Sequence, residues 1–435
     1  MSPLRDDYSG PFASDLGLAD FSRGALATLG REFLLSGHLQ DRVGLPLVAQ
    51  RFGVDAYSAF SIEEWMGASP IYSERMQKAF GFVGSDVGTV FKNLQLDIGA
   101  PHQFMDFQFR LDRPDYGEFW LPHCGALMDV EPFGERSVRL MCHEIEDPTF
   151  DATAAATHPC MKMRPIHRPP REPADRVPHC RWSVFIGDEA EPVEMHPNLD
   201  LVRKSLLAEI SVDIPEMDAE PGGRVDYAGE FDPDFQLEDL SHRALISACQ
   251  EFAIQSHLLA RAFMLCASQR EGDEAALELG RSQWTGIAAL TAQRLAKSLR
   301  IDNGGIEDIA KIFQVHPSFL PRSYVDLCVD LRVDLIGNER LRISLADCPA
   351  LNEGDAHSWF ATLTKDPHPA IDAIAWAINP RAHSRPASDP GEARFAWEIE
   401  IDSGSDERPS PQELELAKIS RGATFEFERR RSSRA

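Results

Sequence analysis

The stretch Leu18-Ala-Asp-Phe-Ser-Arg-Gly-Ala-Leu-Ala-Thr-Leu-Gly-Arg-Glu-Phe33 returns 219 positions later as Leu237-Glu-Asp-Leu-Ser-His-Arg-Ala-Leu-Ile-Ser-Ala-Cys-Gln-Glu-Phe252. A repeat of this length indicates one structural unit present twice. We therefore predict a tandem duplication, with a first repeat at 17–215, a second at 236–430, and a linker rich in Pro, Gly, Asp and Glu at 216–235. The same shift pairs His38 with His257, Trp65 with Trp284, and Arg75 with Arg294.

Within each repeat the hydrophobic period changes once, from helical spacing to alternation. Helices followed by a small antiparallel sheet are typical of an α+β unit. Two such units in tandem most simply form a pseudo-two-fold dimer, the covalent version of a homodimer. In the first repeat we predict helices over 20–38, 61–80 and 84–96, and strands over 104–111, 181–186 and 208–214.

The composition limits the classes of function. The chain has 435 residues, 43% hydrophobic content and a net charge of −25. Such a charge disfavours nucleic acid and anionic membrane surfaces, because both are polyanions. No run of 18 apolar residues and no signal peptide are present, so we expect a cytoplasmic protein with reduced thiols. We expect a small-molecule substrate, and the sequence leaves homo-oligomer formation open.

Cys and His concentrate between positions 123 and 180, where four of the eight Cys and five of the fourteen His lie. They occur beside each other three times, as His123-Cys124, Cys142-His143-Glu144 and His179-Cys180. Burial alone explains a single Cys, because free Cys behaves as a small hydrophobe. It does not explain three adjacent pairs, so this segment is the candidate site.

The second repeat serves as an internal control for this cluster. Cys348 matches Cys124, which is consistent with a structural role for that position. The positions aligned with Cys142-His143-Glu144 are Ala361-Thr362-Leu363, and Asp347 and Phe395 stand opposite His123 and Cys180. The sequence therefore predicts one active repeat and one degenerate partner.

One chemistry that fits is covalent catalysis by a thiol. Cys124 lies at a predicted strand-to-helix junction, where backbone N–H groups favour an anion. It is the candidate nucleophile or ligand, and Cys142 and His143 are its candidate partners. Glu144 or Asp147 would orient His143. The predicted reaction is a thiol- or metal-assisted hydrolytic step.

The predicted substrate is small and anionic, because Arg binds carboxylates in a bidentate manner. A Pro- and Arg-rich loop over 158–171 could offer Arg164, Arg168 or Arg171 to such a group, although its composition favours a solvated surface loop.

Two alternatives stay open. In the first, His123, His143 and Cys142 are ligands of a single Zn or Fe ion in a non-haem iron or zinc redox enzyme. Adjacent residues rarely both reach one ion, so such a site would take one residue from each pair. In the second, the chain is a non-catalytic small-molecule-binding or scaffold module, and the Cys/His cluster is part of its core.

The order of these motifs resembles the L-2-amino-thiazoline-4-carboxylic acid hydrolase family. The resemblance rests on Cys124-Gly-Ala-Leu, the Glu-Pro-Phe-Gly turn at 131–134, Cys142 with an Asp soon after it, and a late strand opened by His179-Cys180-Arg-Trp182. It covers roughly 100–187, and it lacks the Gly-Asp expected before Cys180. The resemblance implies hydrolytic opening of a small ring or amide-like bond, with Cys124 and Cys142 at the matching positions.

Overall fold

Each repeat folds as a pair of long helices followed by short helices and an antiparallel sheet, which confirms the α+β duplication. The computed structural model describes residues 3–187, 191–333 and 339–428. The first repeat contains α1 (Arg23–Phe52), α2 (Tyr57–Ala79), α3 (Val87–Leu94), β1 (Gln108–Arg113), β2 (Tyr116–Leu121), α4 (Gly125–Val130), α5 (Glu135–Arg139), α6 (Glu146–Ala155), β3 (Met161–His167), β4 (Cys180–Ile186), α7 (Asn198–Arg203) and α8 (Leu206–Glu209).

The second repeat has the same order with fewer short helices. It contains α9 (His242–Glu271), α10 (Asp273–Ser298), α11 (Ile306–Val315), β5 (Leu327–Val333), β6 (Glu339–Leu345), α12 (Pro369–Ile378), β7 (Ala382–Pro386), β8 (Phe395–Ile401) and α13 (Gln412–Ala417). No helix in the described part of the chain is both long and apolar enough to cross a membrane.

The two sheets share one topology. In the described residues, the strand orders are β1-β2-β4-β3 and β5-β6-β8-β7, all antiparallel. Trp182 pairs with Phe119, and its counterpart Trp397 pairs with Ile343. All four side chains are buried, so each tryptophan occupies the same place in the core. The strand predicted over 104–111 begins only at Gln108.

The strand predicted over 208–214 is wrong. This segment holds the end of α8 and then extended chain that pairs with no strand. The Arg75 guanidinium instead donates hydrogen bonds to two carbonyl groups of this segment, from Nη1 to Ala208 O at 3.0 Å and from Nη2 to Ile210 O at 2.9 Å. A side chain from α2 thus supplies hydrogen bonds that a neighbouring strand would have made.

The helical core shows the pseudo-two-fold relation directly. Helices α1 and α9 pack on each other, and each also packs on the second long helix of the other repeat, α1 on α10 and α9 on α2. Arg75 of α2 pairs with Glu251 of α9 at 2.8 Å, and Arg294 of α10 pairs with Glu32 of α1 at 2.7 Å. Both ion pairs join one repeat to the other, and their residues correspond to each other at the shift of 219.

The segment before each repeat's first long helix crosses over as well. The buried Tyr8 donates its hydroxyl hydrogen bond to Gln314 Oε1 at 2.6 Å, and the buried Tyr227 donates to Gln95 Oε1 at 2.8 Å. Part of the stretch predicted as a linker, 216–235, therefore acts as an N-terminal arm of the second repeat and packs on the first.

The C-terminal end of each repeat also forms hydrogen bonds with the other repeat. Glu353 accepts hydrogen bonds from the two successive backbone N–H groups at 206–207, both at 2.9 Å. In the opposite direction, Asp129 accepts from the Ser420 hydroxyl at 2.6 Å and from the Arg421 N–H at 2.8 Å. The tail of the second repeat is thereby fixed against the first.

The close packing of α1 yields a test of this interface. A Cβ added at Gly37 would lie 2.7 Å from both Ser256 Oγ and Ile98 Cγ2, whereas one at Gly24 meets nothing closer than 3.9 Å. We expect Gly37→Ala to destabilise the protein by about 1–3 kcal/mol through overpacking. Gly24→Ala, in the first turn of the same helix, should stabilise it by roughly 0.5–1 kcal/mol. Urea unfolding of both variants measures this, and equal effects would contradict the close approach.

Candidate functional site

The first repeat encloses a cavity of about 120 Å³ between α1, α2, α4 and α6, which we call the inner chamber. Engineered apolar cavities of roughly this size hold a benzene-sized molecule. Unlike those cavities, the inner chamber has many polar groups in its wall. Its polar and charged lining side chains include His38, Asp41, Arg42, Tyr72, Asp97 and Glu146.

A second cavity of about 340 Å³, the vestibule, adjoins the inner chamber. The two share Asp41, Arg42, Tyr57, Val130 and Met141 in their walls, and we call these shared residues the neck. Three apolar side chains of the vestibule are largely exposed, Val54 by 59%, Phe133 by 64% and Ile419 by 62%. The vestibule therefore presents exposed apolar surface beside the inner chamber.

Three carboxyl groups of the inner chamber titrate far from their usual range. Burial raises the pKa of Asp41 to about 6, against the opposing influence of Arg42 and of a hydrogen bond from Trp65. Burial likewise raises the pKa of Asp97 to about 6 and that of Glu146 to about 8. The Glu146 side chain is partly buried, and it lines the cavity. At neutral pH the chamber therefore holds both ionised and protonated carboxyl groups.

Several polar atoms of the chamber and its wall have no partner. Trp65 Nε1 donates to Asp41 Oδ2 at 2.8 Å, while Asp41 Oδ1 is buried and accepts nothing. Both carboxyl oxygens of the adjacent buried Glu64 are also without a hydrogen bond, as are His38 Nδ1 and the Tyr72 hydroxyl. The Tyr72 hydroxyl lies beside Asp97 without a well-formed bond to it. Buried groups left without a partner cost free energy.

The second repeat contributes to the wall of this site. Arg42 donates through Nε to Asp129 Oδ2 at 2.9 Å. Asp129 is the same carboxylate that binds Ser420 and Arg421 of the second repeat's tail. The tail also supplies Ile419 to the vestibule, so the entrance is built from both repeats.

The equivalent space in the second repeat is filled. His257 and Trp284, the counterparts of His38 and Trp65, stack on each other at 5.4 Å. Trp284 stacks on Trp359 at 5.3 Å, and His257 lies 5.7 Å from the ring of Phe360. Aromatic side chains thus occupy the region that is open in the first repeat.

The acids of the first repeat are also absent from the second. The counterparts of Asp41, Glu64, Tyr72 and Asp97 at the shift of 219 are Ala260, Gln283, Thr291 and His316. The last pair is structurally equivalent, because Asp97 Oδ1 accepts the N–H of Gly99 at 2.6 Å and His316 Nδ1 accepts the N–H of Ser318 at 3.2 Å. The second repeat keeps the scaffold and lacks the polar chamber.

The predicted thiols lie together but are buried behind the chamber wall. Cys124 caps α4 at the strand-to-helix junction, as predicted, and its Sγ accepts the Leu127 N–H at 3.4 Å. Burial raises the pKa of Cys124 to about 12, and it raises those of Cys142 and Cys180 well above the usual value. A nucleophilic thiolate requires a lowered pKa, so this environment gives these thiols no activation.

The other predicted catalytic residues point elsewhere. His143 Nε2 lies 2.6 Å from the carbonyl oxygen of Pro169. Asp147 pairs with Arg168 at 2.5 Å, and Glu144 is exposed. In the described residues, none of these three side chains is hydrogen-bonded to Cys124 or Cys142, and the predicted Cys-His-acid arrangement stays a prediction.

The segment that carries Cys142-His143-Glu144 nevertheless reaches the site. It forms a π-helical turn, Leu140–Ile145, and such turns are frequent at functional sites. Met141, Ile145 and Glu146 line the inner chamber, next to the residues that the sequence singled out. Comparing the two repeats at acidic positions within α1 and α2 would have found Asp41 and Glu64.

The expected metal and anion ligands are arranged differently from the prediction. The His123 ring lies 6.1 Å from that of His179, and in the described residues no three His, Cys, Asp or Glu side chains are grouped to hold a metal ion. The three arginines proposed for an anionic substrate are held by the protein's own carboxylates. Arg164, Arg168 and Arg171 pair with Asp151, Asp147 and Glu131.

Comparison with protein-family models, with curated proteins and with solved structures gives no match for this chain. The resemblance to the thiazoline hydrolase family therefore stays a prediction, and the site rests on its own geometry.

Alkylation distinguishes buried from activated thiols. We expect iodoacetamide at pH 7 to label the exposed Cys328 first, because its sulfur is accessible. Cys124, Cys142 and Cys180 should react only on unfolding, since they are buried and stay protonated. Peptide mass spectrometry over a time course measures the order, and labelling of any of these three as fast as Cys328 would restore the thiol hypothesis.

Stability as a function of pH tests the Asp41 environment. A folded-state pKa of about 6 against the usual 3.8 costs about 3 kcal/mol of stability above pH 6 and nothing below pH 4. Asp41→Asn keeps an acceptor for Trp65, so it should raise stability at pH 7.5 and change it little at pH 4.

The matched control for that experiment is Asp129→Asn. It breaks the buried pair with Arg42 and should lower stability at pH 7.5 by about 3 kcal/mol. Thermal and urea unfolding of both variants at the two pH values measure the effect. An Asp41→Asn protein less stable than wild type at pH 7.5 would show that the carboxylate has a structural role.

Proposed function

We propose that the first repeat is a small-molecule enzyme of hydrolytic type, that its carboxyl groups supply acid–base catalysis, and that the second repeat is its scaffold. One observation carries the proposal. In the described residues, the first repeat has a cavity lined by Asp41, Asp97 and Glu146, whereas aromatic side chains pack in the equivalent region of the second repeat. Acids that cost stability are retained where function needs them.

Two carboxyl groups with separated pKa values suit the two halves of a hydrolysis. Asp41, with a pKa of about 6, is ionised at neutral pH, and its buried Oδ1 makes no hydrogen bond. That oxygen is the proton acceptor in the proposed mechanism. Glu146, with a pKa of about 8, is protonated and can donate. This differs from the thiol mechanism predicted from the sequence, because the thiols are buried.

The reaction balances without another reactant. Asp41 takes a proton from water as the water oxygen bonds to the electrophilic carbon of the substrate. Glu146 gives its proton to the leaving atom as the bond from that atom to carbon breaks. One water is consumed, and proton transfer through the solvent restores both carboxyl groups.

A second candidate is a binding module without catalysis, since the chamber could equally hold a ligand that is not turned over.

We also propose a cytoplasmic location, because eight free thiols are typical of a reducing compartment.

Turnover in isotopically labelled water tests the catalytic assignment. The full chain is incubated in ¹⁸O water with small esters, amides and cyclic amidines of positive, neutral and negative charge, and products are followed by mass spectrometry. For any substrate that turns over, Glu146→Gln and Asp41→Asn should each lower kcat/KM by about 100-fold or more.

Matched controls come from the same segment. Glu144→Gln removes an exposed carboxylate two residues from Glu146, and Cys142→Ala removes a buried thiol. Both should leave kcat/KM unchanged within about threefold, an expectation that follows from their place outside the chamber. Turnover that survives Glu146→Gln, or is lost in Cys142→Ala, would contradict the mechanism. Absence of turnover across the panel would favour the binding module.

A further inference from the structure

The inner chamber is short of positive charge. Arg42 is the one Arg or Lys side chain among its described lining residues, and Asp129 already neutralises it at 2.9 Å. His38 is held neutral, because burial and the adjacent Arg42 lower its pKa. Asp41, Asp97 and Glu146 face the same space. The unmet requirement of the chamber is therefore a cation.

Asp97 is the carboxyl group with the least compensation. It is 4% exposed and lies in the wall of the inner chamber. Its Oδ1 accepts the Gly99 N–H at 2.6 Å, and the nearby Tyr72 hydroxyl is its other polar neighbour. No basic side chain lowers its pKa, whereas Arg42 does so for Asp41. A buried carboxylate without a counter-ion is a strong acceptor for an ammonium group.

The rest of the wall suits an organic cation. Five aromatic side chains line the chamber, and four of them are only partly buried. Aromatic faces attract ammonium groups by about 0.5–2 kcal/mol. The four partly buried rings are those of Tyr57, Trp65, Phe107 and Phe150, and the fifth is that of the buried Tyr72.

The vestibule suits the remainder of such a molecule. Val54, Phe133 and Ile419 present apolar surface there, and the vestibule shares Asp41 and the other neck residues with the chamber. A ligand that spans both spaces would have a charged head and an apolar body.

We infer that the ligand of this cavity is a small organic ammonium ion, whose charged group lies beside Asp97 and Tyr72 in the inner chamber and whose apolar part occupies the vestibule. The inference rests on the proposed function, since it names the ligand class of the same site. It replaces the anionic substrate expected from the sequence, because the arginines that would bind an anion already have partners. A bond near the neck would then lie beside Asp41.

Titration calorimetry on the full chain tests the inference. The probes are n-alkylammonium chlorides from methyl to hexyl, with the alcohols and sodium carboxylates of the same chain lengths. The dissociation constant of the amines should fall about fourfold per methylene until the vestibule is full. Alcohols and carboxylates should bind at least roughly tenfold more weakly than the matching amine, because they lack the charged hydrogen bond.

The variant arm uses Asp97→Asn, with Glu144→Gln as an exposed control that makes the same change in net charge. Asp97→Asn should weaken amine binding by about tenfold or more and leave alcohol binding unchanged, which a merely structural effect would not do. Carboxylates or alcohols that bind wild type as tightly as the amines overturn the inference, and so does the absence of saturable amine binding. The wild-type comparison decides the matter even if Asp97→Asn misfolds.

The two proposals fail separately. Amine binding that depends on Asp97, with no turnover in labelled water, supports the ligand class and contradicts the hydrolytic function. Turnover that depends on Asp41 and Glu146 and is not inhibited by the amines contradicts the ligand class alone.

Discussion

Two buried ion pairs, Arg75 with Glu251 and Arg294 with Glu32, hold the architecture together. Each joins the second long helix of one repeat to the first long helix of the other. Each arginine also donates to carbonyl groups in the tail of its own repeat. Loss of one partner would leave a buried charge unpaired, at a cost of about 3–5 kcal/mol. Neither repeat can therefore satisfy its own buried charges without the other.

This dependence explains how a site in one repeat comes to need both. The Asp129 carboxylate lies at the meeting point, because it binds Arg42 at the neck of the cavity and the tail of the second repeat on its other side. The second repeat thus contributes stability and one wall, while the first carries the costly buried acids. Duplication allows this division, since one copy can lose its polar cavity to aromatic packing without loss of the fold.

Sequence alone predicts the fold well because the duplication records it twice. The shift of 219 predicts two α+β units, and the sheets follow it in identical strand order. The contacts between the two repeats are harder to predict from the sequence. The pattern at 208–214 resembles a strand, and only the three-dimensional position of Arg75 shows that a side chain donates hydrogen bonds to its carbonyl groups.

The site was harder to predict, since its chemistry depends on burial. Density of Cys and His identifies the segment around 142, yet the side chains that reach the cavity are its neighbours Met141, Ile145 and Glu146. Asp41 and Asp97 are single acids in mainly apolar stretches, and an acid there resembles an exposed helix face until its burial is known. Their replacement by Ala260 and His316 was the available signal.

The central proposal is that the first repeat keeps an acid–base pair of carboxyl groups in the inner chamber. The most direct measurement is a pH titration of the full chain with ¹³C-labelled Asp and Glu carboxyl groups, observed by NMR and assigned with Asp41→Asn and Glu146→Gln. The account predicts that Asp41 titrates near pH 6 and Glu146 near pH 8. Titration of both below pH 5, as for solvated carboxyl groups, would contradict it.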